Sequence, residues 1–252
     1  MHRPRVVLVH GSATDHTTWS IQLGSSLKDR FDFVARDRDF SRTSVAEHAA
    51  DLAALIEAPA GAPPPAPSRP RTLVVGSSFG AVIALELART RPDLVAGAIL
   101  IEPPMRSADD PALDSAQREF HAELERRVAR DGGPAMGEFF LQSVLGAEAY
   151  ARIPVAFRER SASRWADILS DSRSLVAYEP RYPELRTCTV PMLLLGGARS
   201  APIFGRTLAA LAQALPDAES VTIPNVGHML HAEAPRRFAE LLIGFAAETG
   251  IE

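Results

Sequence analysis

Along the chain, short apolar runs alternate with stretches in which apolar residues recur every three or four positions. Residues 5–9 (RVVLV) are apolar without alternation and stop at His10-Gly11, as a strand buried on both faces does. Residues 18–27 carry Trp19, Leu23 and Leu27 at helical spacing, and residues 31–35 predict a second strand. A helix follows over 45–58, with Ala49, Leu52, Leu55 and Ile56 on one face. The next strand begins at 72–75 (TLVV), with a helical stretch over 81–88 and another strand over 96–101 (AGAILI) ending at Glu102-Pro103-Pro104. The strand pattern restarts at 190–195 (VPMLLL) and ends at Gly196-Gly197. A helix over 207–215, a strand over 218–223 and a closing helix over 235–248 complete it.

Between these halves the pattern changes. Residues 115–130 read as a charged amphipathic helix, and 135–145, 163–169 and 174–178 as shorter helices, with no strand-like alternation among them. Strand and helix alternating on either side of a helical insertion predict an α/β protein with a doubly wound, mostly parallel sheet. The expected division is a core of residues 1–104 and 190–252 and a helical cap of residues 105–189. Residues 58–70 (APAGAPPPAPSRP) read as a stiff, extended linker leading into the 72–75 strand.

Composition narrows the function. A net charge of −4 supplies no basic field for nucleic acid. The single cysteine, Cys188, leaves no internal disulfide and no cysteine-based metal site, and is expected to be a buried or half-buried filler. No segment approaches the roughly 20 apolar residues of a membrane span. Met1-His2-Arg3-Pro4-Arg5 leads into only five residues of strand, too short for the apolar part of a signal sequence. The expectation is a cytoplasmic protein that takes a small molecule, its oligomeric state left open.

The chemistry gathers around Gly76-Ser77-Ser78-Phe79-Gly80, a G-x-S-x-G run between a strand and a helix. Such a turn lifts Ser78 out of the backbone surface, and small residues at 76 and 80 let neighbouring backbone pass close. Serine needs a base to take its proton. His228, in Asn225-Val226-Gly227-His228 after the last strand, lies on the loop side where open α/β sheets bind ligands. His231, three residues on, reads as a surface or pocket-lining residue, and His10 as a structural loop histidine; His2, His16, His48 and His121 have no supporting context. An oxyanion hole takes backbone N–H groups from Phe79, after the nucleophile, and from the loop after the first strand, where Ser12 is the candidate.

Taken together, His10-Gly11-Ser12 after a strand, Trp19 in the next helix, the elbow at 76–80, the helical middle and Gly227-His228 before Glu233-Ala234-Pro235 resemble the α/β-hydrolase fold, in its capped, serine-nucleophile form. The resemblance covers nearly the whole chain and implies no cofactor and no metal. The sequence departs from the family pattern twice. The charged, glycine-rich turn expected after the second strand reads Asp37-Arg38-Asp39-Phe40-Ser41-Arg42, without its glycines. The acid expected after strand 190–195 is missing, for Gly197-Ala198-Arg199-Ser200 has serine there, and Asp217 lies a whole helix further on. Glu102 is the replacement. The 24 residues from Ser78 to Glu102 fit one helix and one strand, and haloalkane dehalogenases of this fold place their acid there. A Glu-Pro pair also ends strands with no further role.

Ser78, His228 and Glu102, with N–H groups of Ser12 and Phe79, then imply hydrolysis of a small or medium apolar ester, thioester or lactone through an acyl-enzyme. Phe139, Phe140, Leu141, Phe157 and Trp165 are candidate pocket residues. The alternatives are a C–C bond hydrolase, cofactor-free oxygenase or lyase on the same residues, or a receptor-like binding protein with weak turnover.

Overall fold

Six strands, all parallel, form the sheet at the centre of the computed structural model, which describes residues 3–57, 71–106, 110–179 and 182–251. The predicted linker over 58–70 lies outside the described residues. In chain order the strands and helices begin with β1 (Arg5–Val9), α1 (Ser20–Gly24), β2 (Asp32–Ala35), α2 (Val45–Glu57), β3 (Thr72–Ser77), α3 (Phe79–Thr90) and β4 (Val95–Ile101). The helical insertion follows: α4 (Pro111–Asp131), α5 (Gly133–Leu145), α6 (Ala147–Arg152), α7 (Val155–Ser163), α8 (Trp165–Ala177) and α9 (Tyr182–Leu185). The sheet resumes with β5 (Met192–Gly197), α10 (Pro202–Ala214) and β6 (Ala218–Ile223), and the chain closes through α11 (Leu230–Glu233) and α12 (Pro235–Glu248).

Strand order is β2-β1-β3-β4-β5-β6. The chain steps outward from β1 to β2, then returns to the other side of β1, so β1 and β3 flank the point where the winding reverses. Ligands bind in such sheets at that switch point, outside the strands' carboxyl ends. Register puts Val9 beside Gly76, Ser77 beside Ile101, Ile101 beside Leu195, and Gly197 beside Ile223. The loops after β1, β3, β4, β5 and β6 therefore open along one edge.

Alternate residues of the central strands feed two cores. Val7, Val9, Val74, Ala98, Leu100, Met192 and Leu194 pack with α2, α3 and α10 on one face. Val6, Leu8, Leu73, Val75, Ile99, Ile101, Leu193 and Leu195 pack with Trp19, Leu230, Phe238 and Leu242 on the other. β3 and β4 are buried along their whole length, which explains their unbroken apolar runs. A third cluster, from Leu124, Met136, Leu141, Tyr150, Ala162 and Ile168 of the insertion, closes over Ala13 in the loop after β1.

Some expected elements are redrawn. The helix expected over 18–27 is three short pieces, because the backbone at Ser25 turns extended (ψ 174°) and its hydroxyl caps Leu27 N–H at 3.3 Å. The separate helices expected at 163–169 and 174–178 are one helix, α8. Its polar run Asp171-Ser172-Arg173-Ser174 hides the periodicity, since residues 171, 172 and 174 are buried, Asp171 against Arg38 and Ser12 and Ser172 against His121. Helices α6, α7 and α9 had no counterpart in the sequence reading. Cys188 is buried, as expected.

Candidate active site

Ser78 occupies the turn between β3 and α3 with φ 54° and ψ −122°, a conformation costly for a residue with a side chain. The turn is tied down at both ends: Ser78 N–H donates to Ile101 O at 2.8 Å, and Ser78 O accepts from Ala81 N–H at 2.8 Å. It also needs its glycines. A Cβ at Gly76 would stand 2.3 Å from Gly80 O, and one at Gly80 would stand 2.4 Å from Val9 O.

The loop after β1 reaches the same spot. A Cβ on Gly11 would lie 2.9 Å from Ser78 Cβ and 3.6 Å from its Oγ, so this loop passes directly beside the serine. Ser12 follows, and its hydroxyl donates to Asp171 Oδ2 of α8 at 2.8 Å. Phe79, the first residue of α3, is fully buried.

On the other side stands His228, 4% exposed, in the loop between β6 and α11. Its Nδ1 lies 2.6 Å from Glu102 Oε2, and its ring stacks on Phe204 of α10 at 4.4 Å between centroids. Glu102 is 1% exposed and, like Ser78, has a positive φ of 44°. Its other oxygen, Oε1, accepts the Gly197 N–H at 2.7 Å. The turn that carries no acid thus supplies a donor to the carboxylate of the neighbouring strand. Asp217 sits at the opposite end of the sheet, where its carbonyl accepts from Met192 N–H at the start of β5.

Other histidines are occupied elsewhere. His10 Nδ1–H donates to Gly11 O at 2.9 Å, and Nε2 accepts the Arg38 N–H at 3.1 Å, which fixes one neutral tautomer. Burial, helped by the Arg38 charge, lowers its pKa to about 4. His231, expected on the surface or lining the pocket, is in neither place. It is fully buried, 4.5 Å from the Trp19 ring, and burial lowers its pKa to about 4.

Two arms of a cavity meet at Ser12 and Ser78, divided by Phe140 and Val144 of α5. The larger holds about 340 Å³ and is lined mainly by apolar residues, among them Phe120, Phe139, Ile168, Leu175, Ile203 and Phe204. The smaller holds about 40 Å³ and includes His228, Met229, Leu145, Ile153 and Phe157. Of the five candidate pocket residues, Phe139, Phe140, Leu141 and Phe157 line it. Trp165 instead packs on the start of α5, where a Cβ at Gly133 would meet its ring at 2.2 Å.

The sequence reading missed Arg38 and Asp171, a buried ion pair beside Ser12. Asp171 left a trace: it shares a helical face with Ile168 and Leu175, so a charge stands in an apolar stripe.

The sequence model of the alpha/beta hydrolase family matches residues 6–241. The pimeloyl-(acyl-carrier protein) methyl ester esterase of Xanthomonas campestris pv. campestris is 29% identical over 188 residues, covering 72% of this chain and 73% of its own. Among solved structures, MenH from S. aureus superposes with a TM-score of 0.80 at 17% identity, covering 99% of this chain and 96% of that one. A thermophilic esterase from Thermogutta terrifontis superposes at 0.74 with 23% identity, covering 98% and 90%. Matched from its first strand into its last helix and built on the same parallel sheet, the chain belongs to the alpha/beta hydrolase family and is an enzyme of it.

Proposed function

We propose that the chain hydrolyses a small or medium apolar ester, thioester or lactone through an acyl-enzyme on Ser78, with His228 as base, Glu102 as its acid partner, and the N–H groups of Ser12 and Phe79 as the oxyanion hole. The observation that carries this reading is the buried 2.6 Å contact between His228 Nδ1 and Glu102 Oε2, facing the cavity that holds Ser78. A carboxylate there keeps the proton on Nδ1 and leaves Nε2 free to accept the serine proton. His228 takes the Ser78 proton as Oγ attacks the carbonyl carbon, and two backbone donors stabilise the negative oxygen. As the bond to the leaving group breaks, His228 returns the proton to the departing oxygen or sulfur. A water then repeats the sequence and frees the acid.

The two arms sort the substrate. The leaving group must face His228, which lines the 40 Å³ arm, so the acyl chain takes the 340 Å³ apolar arm. Helices of the 105–189 region then serve as a cap that roofs both arms. A small alcohol on an apolar acyl group agrees with the methyl ester named for the Xanthomonas relative.

Labelling with an alkyl fluorophosphonate tests the serine: modification of Ser78 in the wild type and none in Ser78→Ala is expected. A folded wild-type protein that resists labelling overturns the reading in favour of a binding role. A panel of methyl and butyl esters of graded acyl length tests the arms. Methyl esters are expected to be hydrolysed faster than butyl esters of the same acid, with the rate rising with acyl length; the reverse order overturns the assignment.

A further inference from the structure

We propose that Arg38 and Asp171 are positioning residues for the oxyanion hole, a buried strut that completes the hole only when α8 of the helical insertion is seated against the sheet. This rests on the Ser78 reading above. Each side chain of the pair is 5% exposed, and the two are joined by a fork of bonds, Nη2 to Oδ2 at 2.7 Å and Nη1 to Oδ1 at 3.1 Å. Such a pair is rigid, and costly to bury unless its remaining hydrogen bonds are used.

Further contacts of the pair reach both proposed donor segments, while Arg38 Nη1 also lies 3.3 Å from His48 Nε2 and Arg38 Nε is buried without a hydrogen-bond partner among the described residues. Asp171 Oδ2 also accepts the Ser12 hydroxyl at 2.8 Å, so the side chain of the first donor residue is held from α8. The Arg38 guanidinium contacts Gly11 O at 3.5 Å and lies 4.7 Å from the ring centre of Phe79, the second donor residue. Arg38 N–H donates to His10 Nε2, and His10 Nδ1–H donates to Gly11 O, so the turn His10-Gly11-Ser12 is braced from its own side as well. Ala13, with φ 62°, then packs into the apolar cluster of the insertion. One ion pair therefore touches both halves of the hole and joins the sheet to the insertion.

The geometry an oxyanion needs is narrow. Donors must sit near 3 Å from where the charge will develop, and catalysis falls steeply when one is displaced. The Ser12 hydroxyl is the loop's link to the ion pair on α8, so loss of the pair lets the donor shift even though the turn stays braced from its own side. Loss of the pair therefore acts on kcat, because the oxyanion is absent from the bound ester and develops only in the tetrahedral intermediate and the transition states that flank it.

The test compares wild type with the double variant Arg38→Met/Asp171→Leu, an apolar pair of similar volume that leaves no charge buried alone. Methyl hexanoate hydrolysis is measured per site labelled to completion by a fluorophosphonate, alongside inhibition by butylboronic acid, whose serine adduct carries the oxyanion. Expected for the double variant is a kcat lower by about tenfold to a hundredfold, with KM within about threefold and boronate affinity reduced in step with kcat/KM. A labelled double variant whose kcat per site is within about twofold of wild type overturns the proposal. Should that variant not fold, Ser12→Ala decides, since it deletes only the hydroxyl link. A kcat loss of about threefold or more at unchanged Tm supports the strut, and a smaller loss overturns it. A wild type that neither labels nor turns over refutes the serine reading instead, which separates the two failures.

Discussion

Glu102 meets two demands with one carboxylate. Oε1 is held by the Gly197 N–H at 2.7 Å and Oε2 by His228 Nδ1 at 2.6 Å, and at 1% exposure water competes for neither. Glu102→Gln keeps the size and one acceptor but loses the charge that, in the proposed mechanism, stabilises an imidazolium. Its amide can also present NH₂ to Nδ1 and force the wrong tautomer. Loss of the corresponding acid in a serine protease costs about 10⁴ in kcat. The expected outcome for Glu102→Gln is a kcat lower by about 10²–10⁴ with KM within about threefold and full fluorophosphonate labelling at long times. Steady-state kinetics on a methyl ester measures it, and retention of most of the wild-type kcat would remove Glu102 from the mechanism. Ser200 is the internal control, because its position carries the acid in the family pattern. Ser200→Ala should change kcat by less than about twofold, because the half-buried Ser200 hydroxyl makes no hydrogen bond among the described residues that the change would remove.

At the scale of elements, the turn after β5 supports both partners without contributing a side chain. Gly197 donates its N–H to Glu102, and a Cβ on Gly197 would lie 2.5 Å from Gly227 O and 2.6 Å from Val226 O, in the loop that carries His228. Gly197→Ala must therefore push that loop aside. A kcat loss of about tenfold or more is expected, since displacements near 1 Å cost such factors; wild-type kinetics in this variant would show the turn to be a bystander. The strands and most flanking helices were legible because the parallel strands are buried on both faces and read as unbroken apolar runs. Residues 5–9, 218–223 and 235–248 match the observed bounds of β1, β6 and α12. Ser78 and His228 were legible from their places after strands, and Glu102 from the vacancy at Ser200. Arg38 and Asp171 were not, because they meet only through the fold, 133 residues apart in sequence. The same pairing disguised α8, whose inward face interrupts the apolar residues Ile168 and Leu175 with Asp171, Ser172 and Ser174.

For the molecule as a whole, three buried histidines set a limit on acid stability. His10 lies against Arg38, His48 packs edge-on to Phe79, and His231 lies between Trp19 and Phe238. Burial is the largest cause in each, reinforced by the Arg38 charge for the first two and by His228 for the third, and all three pKa values fall to about 4. In the unfolded chain each histidine titrates near its ordinary value of about 6.5. Above that pH neither state binds the proton, so the stability is fully present. Between about 6.5 and 4 the unfolded chain takes up protons that the folded one refuses, and stability falls as pH drops, each histidine contributing up to ~1.4 kcal/mol per pH unit. Below about 4 the folded state binds them too and this loss stops growing. Urea unfolding at about pH 7, 6 and 5 is therefore expected to show a falling free energy, steepest in the last interval, where the unfolded histidines are nearly all protonated. His231→Phe should flatten that fall by up to ~1.4 kcal/mol per pH unit, because one of the three proton-refusing sites is gone. A stability that stays level from pH 7 to 5 would mean that these histidines take up protons in the folded state. That would contradict the neutral His10 tautomer on which the turn beside Ser78 depends, so the acid limb of the stability curve tests the loop geometry as well as the histidines.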